Sequence, residues 1–486
     1  MHSKCALAAL LSALTLGGGA SAAKTTTTTF AATGGRAVAA LLHVWYAGNG
    51  QWKICNAPDC GKWNRDWGAD ALTNALYLRW TATRDRAIAA TLKALIPTSP
   101  SYGAPCTSLP CGWSDVPAWD AIAALREYDV TRDPLALAKA KAGFAYVEES
   151  KVYAVGACPR IDYQQPNGEA NHLKTLETDA NMIKAALLLY RATKTPTYLD
   201  SAARRYEAVR AYFLDPKVPL YSVYVFDDEK TCTQVQHRFF ASVNGDMIWN
   251  GFELSRVTHD AHYLGEATAT AHAVDRYLSD AAGVFANLQA ENDIVEPLVE
   301  GMYVLARNAH LTFAKQWILR NAAAALSARG SDGSFGRFFD GPPPTVTTSQ
   351  WQTNGGLALQ IAAAALNPNG RVRTANRWRG ARYVDEPATA LPATVTINGS
   401  AVAFVGTLGE HCCEAGHARV FIDGVETFDG TGIWQNKASG GRTTPGTVLF
   451  AWRWPRAGKH TFRFEPGVPN GKEGGAFLHL LGYYLG

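Results

Sequence analysis

Between Arg36 and Leu366 apolar residues recur with the period of an α-helix almost without interruption. Twelve helices are predicted, over 36–46, 66–82, 84–95, 113–129, 134–148, 174–192, 197–213, 243–257, 260–279, 291–307, 311–328 and 351–366. The turn after an even-numbered helix repeats: Trp80 to Asp85, Tyr128 to Asp133, Tyr190 to Thr195 and Ser255 to Asp260. Thr83, Thr131, Thr193 and Thr258 hold equivalent places in it. Two helices per repeat imply stacked hairpins. An open solenoid is one outcome. Six hairpins are also the number that closes into an (α/α)6 toroid. In that case the long loops all precede helices 2, 4, 6, 8, 10 and 12, so the N-termini of an inner ring meet around one mouth.

The flanks divide the chain further. Met1 to Ala23 has a basic start, a short apolar run and an Ala-Ser-Ala stop, the pattern of a secretory signal peptide. Residues 24–35 read as a flexible lead-in, 36–370 as the helical domain and 371–381 as a basic linker. From 382 to 486 the period becomes strand-like, with strands expected at 393–397, 401–406, 417–423, 447–454, 459–465 and 475–485. Asn398-Gly399 and Asp423-Gly424 are hairpin-turn signals. These short strands read as a β-sandwich (jelly roll). The expected class is therefore mainly α, an (α/α)6 toroid followed by a C-terminal β-sandwich.

Net charge is +4 over 486 residues, no footprint for nucleic acid. No stretch is long and apolar enough to span a bilayer. Nine cysteines less Cys5 of the signal peptide leave eight, which fits disulfides in an exported protein, extracellular or periplasmic. The pairings expected are Cys55–Cys60, Cys106–Cys111, Cys158–Cys232 and Cys412–Cys413. No Cys/His cluster has zinc spacing, and neither a metal nor a cofactor is expected. A monomer is expected.

Each inner helix opens on polar and aromatic residues. Asp66 and Trp67 open helix 2; Trp113, Asp115, Trp119 and Asp120 open helix 4. Asp179 and Asn181 open helix 6, and Asn244, Asp246 and Trp249 open helix 8. Glu291 and Asp293 open helix 10, and Trp351 opens helix 12. Carboxylates and amides favour helix N-termini as caps, but tryptophan does not cap. Trp67, Trp113, Trp119, Trp249 and Trp351 are either core or plates for sugar rings. Acids among aromatics are what glycan recognition needs, and glycoside hydrolysis needs two carboxyls flanking one bond. A poly- or oligosaccharide is thus the expected partner. The adjacent Asp227-Asp228 reads as a solvated turn. In the C-terminal part, Trp434 and the loop from Glu410 to Glu414 are the expected sugar contacts.

From about Trp45 to Leu366 the sequence resembles glycoside hydrolase family 76, the six-hairpin α-1,6-mannanases. The resemblance is carried by Trp45 to Trp52, Trp119 to Asp133, Thr178 to Leu199 and the Asn244-Gly245 step. It implies mannan hydrolysis by a consecutive Asp-Asp pair on the fourth helix. Here that pair is reduced to Ser114-Asp115. The resemblance makes Asp115 one catalytic residue and leaves its partner to Asp66, Asp179 or Asp246, with Trp67, Trp113, Trp119, Asp120, Asn181, Asn244, Trp249 and Trp351 as substrate contacts. A glycan-binding protein that no longer cuts is the alternative. The C-terminal part looks like the galactose-binding-like jelly rolls appended to secreted glycosidases.

Overall fold

The computed structural model describes residues 27–63, 66–108, 111–165, 172–235, 238–286, 294–373, 378–388, 391–408, 417–427, 433–434, 444–466 and 480–486. The expected signal peptide, Cys412, Cys413, Glu291, Asp293, the loop from Glu410 to Glu414 and the Trp434 side chain lie outside them.

Twelve α-helices are present among these residues: α1 Phe30–Ala40, α2 Trp67–Thr83, α3 Arg86–Leu95, α4 Asp115–Thr131, α5 Pro134–Glu148, α6 Leu176–Thr193, α7 Pro196–Phe213, α8 Ala241–Thr258, α9 Ala261–Tyr277, α10 Glu296–Arg307, α11 Thr312–Ala325 and α12 Gln350–Leu366. The even-numbered helices form the inner ring. α2 packs on α4, α4 on α6, α6 on α8, α8 on α10, α10 on α12, and α12 back on α2. The ring is therefore closed, and the open solenoid is excluded. Inner helices are enclosed on all sides: every residue of α8 from Ala241 to Leu254 is buried. The outer α3 buries only the stripe Ile88, Leu92 and Leu95, one face of a surface helix.

The repeated turn has a local cause. Arg84, Arg132, Lys194 and His259 each adopt the left-handed conformation that ends a helix, donating their N–H to the carbonyls of Trp80, Tyr128, Tyr190 and Ser255. The preceding threonines bond their hydroxyls back to the carbonyl four residues earlier. Asp85, Asp133 and Asp260 then cap the next helix through their side chains. Ending one helix and starting the next within three residues makes a tight antiparallel hairpin, which is why the motif recurs.

The first helix differs most from the sequence reading at its start. α1 begins at Phe30, not near 36, because the Thr29 side chain accepts the Ala32 N–H at 3.3 Å. The stretch read as a flexible lead-in contributes β1 (Thr27–Thr29) and the first half of α1. Small antiparallel sheets brace the rim: β2 (Tyr46–Gly48), β3 (Gln51–Lys53) and β4 (Lys62–Trp63), then β5 (Leu173–Thr175), β6 (Tyr224–Asp227) and β7 (Cys232–Gln234). β1 pairs with β8 (Arg371–Arg373), so the residues just before and just after the toroid are tied to each other. Cys55–Cys60, Cys106–Cys111 and Cys158–Cys232 are bonded as expected.

The C-terminal part consists of β9 (Arg382–Ala388), β10 (Ala393–Leu408), β11 (His417–Ile422), β12 (Val425–Glu426), β13 (Ile433–Trp434), β14 (Thr444–Pro466) and β15 (Leu480–Leu485). They run antiparallel in the order β12-β11-β14-β10-β15-β9, with β13 on β11. Asp423-Gly424 does turn a hairpin, both residues taking positive φ. Asn398-Gly399 does not. The chain runs on through a bulge between Gly399 and Ala401, so the two expected strands are one bent strand, β10. β14 likewise joins two expected strands. The bends fold the sheet over a core of Phe404, Phe450, Phe462, Phe464 and Tyr483, giving the sandwich. It is fixed to the toroid by Arg453, paired with Asp340 at 2.7 Å, and by Trp378, whose indole N–H donates to the Asp340 carbonyl at 3.0 Å.

Candidate active site

Contacts among the inner helix N-termini define the mouth. Trp67 and Trp351 pack with ring centroids 5.8 Å apart and planes tilted by 39°, and with Trp119, Ile294 and Ala71 they form an apolar cluster apart from the main core. α2 and α12 approach so closely here that a Cβ on Gly68 would lie 2.3 Å from the Gln350 side chain. Ser114 and Thr178 join their hydroxyls at 2.6 Å across α4 and α6.

Asp66 caps α2, its Oδ1 accepting the Trp67 N–H at 2.7 Å. Its backbone has φ 79° and ψ 156°, a strained conformation for a residue with a side chain. Asp115 is the first residue of α4 and is 1% exposed. Burial pushes its carboxyl up to about 7. The backbone N–H groups of Asp115 and Val116 and the Trp67 indole oppose that rise, while the charge of Asp66 adds to it. Asp115 Oδ1 has no hydrogen-bond partner, nor have the indole N–H groups of Trp119 and Trp351. A buried acceptor and two buried donors are thus left without hydrogen-bond partners at these helix N-termini.

A second acid pair lies one turn deeper. Asp70 is four residues after Asp66 on α2, and burial together with the charge of Asp120 holds it well above the ordinary range. The two carboxyls face each other as like charges, which adds to the rise that burial causes. Asp120 also accepts the Tyr102 hydroxyl. Sequence reading missed Asp70 and Tyr102. The i, i+4 spacing of Asp66 and Asp70 was the available signal; nothing local marked Tyr102.

The other expected residues go elsewhere. Asp179 turns to the outer layer, paired with Arg205 at 2.5 Å and accepting the Asp162 N–H at 3.0 Å; burial raises it to about 7. Asp246 is paired with Lys184 at 2.8 Å, and Lys184 also holds Glu300 at 2.6 Å. Arg126 completes this network through Glu300 and lies over Trp249, which is core. Glu296 joins the same floor; burial and then the charge of Glu300 raise it to about 8. Asn244 is consumed by backbone: its Oδ1 accepts the Tyr221 N–H and its Nδ2 donates to the Tyr221 and Phe240 carbonyls. Its neighbour Gly245 is required because a Cβ there would meet Leu298 N at 2.2 Å. Asn181 Nδ2 donates to the Glu177 carbonyl. Trp113 stands exposed. Asp227, read as part of a solvated turn, is buried, accepting the Ala157 and Cys158 N–H groups and pairing with Lys174 at 3.3 Å; only Asp228 is exposed.

Ser114, at the place of the missing acid, is fully buried. Its hydroxyl donates to the Tyr163 carbonyl at 2.6 Å and accepts from Thr178, so it faces the wall of the ring. Of the four acids expected to be catalytic, the structure brings Asp66 and Asp115 together and gives Asp179 and Asp246 cationic partners.

No protein-family model matches the chain, and no curated protein matches it in sequence. Solved structures do resemble it in shape. An inactive variant of an α-1,6-mannanase from Salegentibacter sp. HEL1_6, with two adjacent aspartates replaced and α-1,6-mannotetrose bound, superposes with a TM-score of 0.60 at 20% identity, over 70% of this chain and 100% of that one. A family 76 glycoside hydrolase from a bovine Bacteroides thetaiotaomicron strain gives 0.60 at 15% identity, over 70% and 78%. A cellobiose 2-epimerase from Bacillus thermoamylovorans gives 0.51 at 14%, over 68% and 98%. One fold hosts hydrolysis and epimerisation, so the likeness speaks to architecture and the side chains must speak to chemistry. The architecture is the six-hairpin toroid of the family 76 mannanases, carrying a C-terminal β-sandwich.

Proposed function

We propose that this chain is an exported glycoside hydrolase acting on α-mannan or a related glycan, with Asp115 as the acid and Asp66 as its ionised partner. One observation carries the reading: a buried carboxyl that keeps its proton to about neutral pH lies beside a second carboxyl under a tryptophan wall. A general acid needs a pKa near its working pH. Asp115 donates its proton to the leaving glycosidic oxygen, and Asp66 acts on the anomeric carbon directly or through water. A carboxyl separation of about 5–5.5 Å means direct attack with retention, and about 6.5–9.5 Å leaves room for water and inversion. Trp67, the part-exposed one of the three tryptophans, offers an apolar face to a sugar ring, and the unpaired indole N–H groups of Trp119 and Trp351 lie behind it. Three disulfides and the absence of a membrane-crossing helix among the described residues fit export.

The test is release of reducing ends from α-1,6-mannan and a panel of related wall glycans by the wild type, Asp115→Asn and Asp66→Asn. Cleavage by the wild type alone supports the proposal. Cleavage that survives Asp115→Asn unchanged refutes the assignment. The buried, backbone-bonded Ser114 favours a second reading, a glycan-binding toroid without hydrolysis. That reading is selected if some glycan is retained and none is cut.

A further inference from the structure

The inner helices carry a belt of ionisable side chains that the proposed mechanism does not use. Lys184 of α6 holds Asp246 of α8 at 2.8 Å and Glu300 of α10 at 2.6 Å, and Arg126 of α4 pairs with the same Glu300. Glu296, one turn before Glu300 on α10, completes the belt. All five residues are more than nine-tenths buried. Their charges do not balance, with three carboxyls against two cations. An unanswered charge in such a place is removed by shifting a proton, so one carboxyl is neutral.

The contacts select which. Asp246 and Glu300 have cationic partners, and Glu296 has no ion pair among the described residues. Its carboxyl meets an amide instead: Asn74 Nδ2 of α2 donates to Glu296 Oε2 at 3.4 Å. Glu296 Oε1 and Asn74 Oδ1 are both buried without a partner. Both are acceptors while Glu296 is ionised. A proton on Oε1 satisfies the two together and closes the paired bonds of an acid and an amide. Burial and then the charge of Glu300 push Glu296 up to about 8, in the same direction. The other helices packed on α10 add no counter-charge. Asp70 of α2 faces Asp120, and Glu253 of α8 is bonded to Arg256. Arg79 of α2 and Lys315 and Arg320 of α11 are part-exposed, Arg307 lies at the far end of α10, and α12 has no ionisable residue.

Glu296 also opens α10 next to the mouth. Its N–H and that of Val295 donate to Asn354 Oδ1 of α12 at 2.9 and 3.1 Å, and Ile294 packs with Trp67, Trp119 and Trp351. One short stretch therefore joins the belt to the tryptophan cluster.

We propose that Glu296 is a protonated latch: as a neutral acid paired with Asn74 it balances the belt, and on ionising it loosens the first turn of α10 and draws Ile294 from the tryptophans. The native chain holds this proton more tightly than the unfolded chain, so the stabilisation is complete below about 4.5 and is lost as the pH rises to about 8. Nothing in the latch depends on hydrolysis at the mouth.

The test compares the full mature protein with Glu296→Gln, Glu300→Gln and Asp246→Asn, in thermal melts at about pH 6 and about pH 9. Glutamine keeps the shape of a neutral acid and both bonds to Asn74. Glu296→Gln should melt within about 2 °C of the wild type at the lower pH and above it at the higher. The other two variants take a partner from a buried cation and should melt about 4 °C or more below the wild type at the lower pH. Hydrogen exchange of residues 294–302 gives the local readout. Divided by the rate of an unstructured peptide, protection should fall tenfold or more between the two pH values in the wild type and hold in Glu296→Gln. The proposal is overturned if Glu296→Gln does not fold or melts as low as Glu300→Gln at the lower pH, since Glu296 is then an ionised member of the belt. It is equally overturned if protection of 294–302 changes alike in the wild type and Glu296→Gln.

Discussion

Replacing Asp115 by Asn keeps the shape of the side chain and removes its proton equilibrium. The native carboxyl titrates at about 7 against an ordinary 3.8, chiefly because it is buried. The native state therefore holds this proton more tightly than the unfolded chain does. The resulting stability is fully present below about pH 4 and is lost as the pH rises through about 7. Roughly three units at 1.36 kcal/mol each make that loss about 4 kcal/mol. Asparagine cannot ionise and loses nothing over the window. Measured against the wild type, Asp115→Asn should thus gain up to about 4 kcal/mol between pH 4 and pH 8. With an unfolding entropy of about 2.1 cal/mol/K per residue, the toroid from α1 to α12 has about 0.7 kcal/mol/K. The gain then reads as a relative rise in Tm of about 6 °C. Over the same change, mannan cleavage should fall about 10²–10⁴-fold, the contribution of a general acid. Thermal melts at pH 4, 6 and 8, paired with reducing-end assays, check both halves. A variant that melts no higher relative to the wild type at pH 8 than at pH 4, or one that still cuts, refutes the reasoning. A purely structural Asp115 would lose stability on replacement, so the combination of gain and loss is specific to an acid held for chemistry.

Other outcomes follow from particular contacts. Arg205→Met strips Asp179, Asp162 and Glu148 of their buried cation and should cost about 3–5 kcal/mol by denaturant unfolding, with little of that cost shared by an exposed pair such as Arg210–Glu207. Cys158→Ser opens a loop of sequence separation 74 and should cost about 4 kcal/mol, against about 2 kcal/mol for Cys55→Ser with separation 5, in melts under oxidising conditions. Trp67→Ala, which removes a half-buried plate at the mouth, should raise KM about tenfold with kcat less affected; an unchanged KM would show that the sugar does not stack there. Gly68→Val should force the buried Gln350 side chain to move and lower Tm, because a Cβ there would lie 2.3 Å from it.

Fold and site were legible in the sequence to different depths. Most of the helices could be read because four turns carry a back-bonded threonine and a left-handed residue, and three of these an aspartate cap, within three or four positions, as at Thr131, Arg132 and Asp133. Ring closure was legible only as a count of six hairpins, since the contact of α12 with α2 spans most of the chain. Asp66 and Asp115 could be named but not paired, because the same cap chemistry puts acids at several inner helices. What separates them is a cation supplied from far along the chain. Arg205 of α7 takes Asp179, and Lys184 of α6 takes Asp246, and no motif near either aspartate records this. Asn244-Gly245 looked functional and is architectural, binding a loop and letting α8 touch α10. In the sandwich, Asn398-Gly399 carries the chemistry of a turn, yet cross-strand pairing with β14 on both sides pulls it into a bulge. Tertiary pairing outweighed local preference there.

The account rests on Asp66 and Asp115 facing one bond of a bound sugar chain. The most direct measurement is a crystal structure of Asp115→Asn soaked with α-1,6-mannotriose. It should show a glycosidic oxygen within hydrogen-bond reach of residue 115, with the Asp66 carboxylate on the other side of the anomeric carbon and a ring against Trp67 or Trp351. A trisaccharide seated away from both aspartates, or a mouth that stays empty while the sugar occupies another surface, would contradict it.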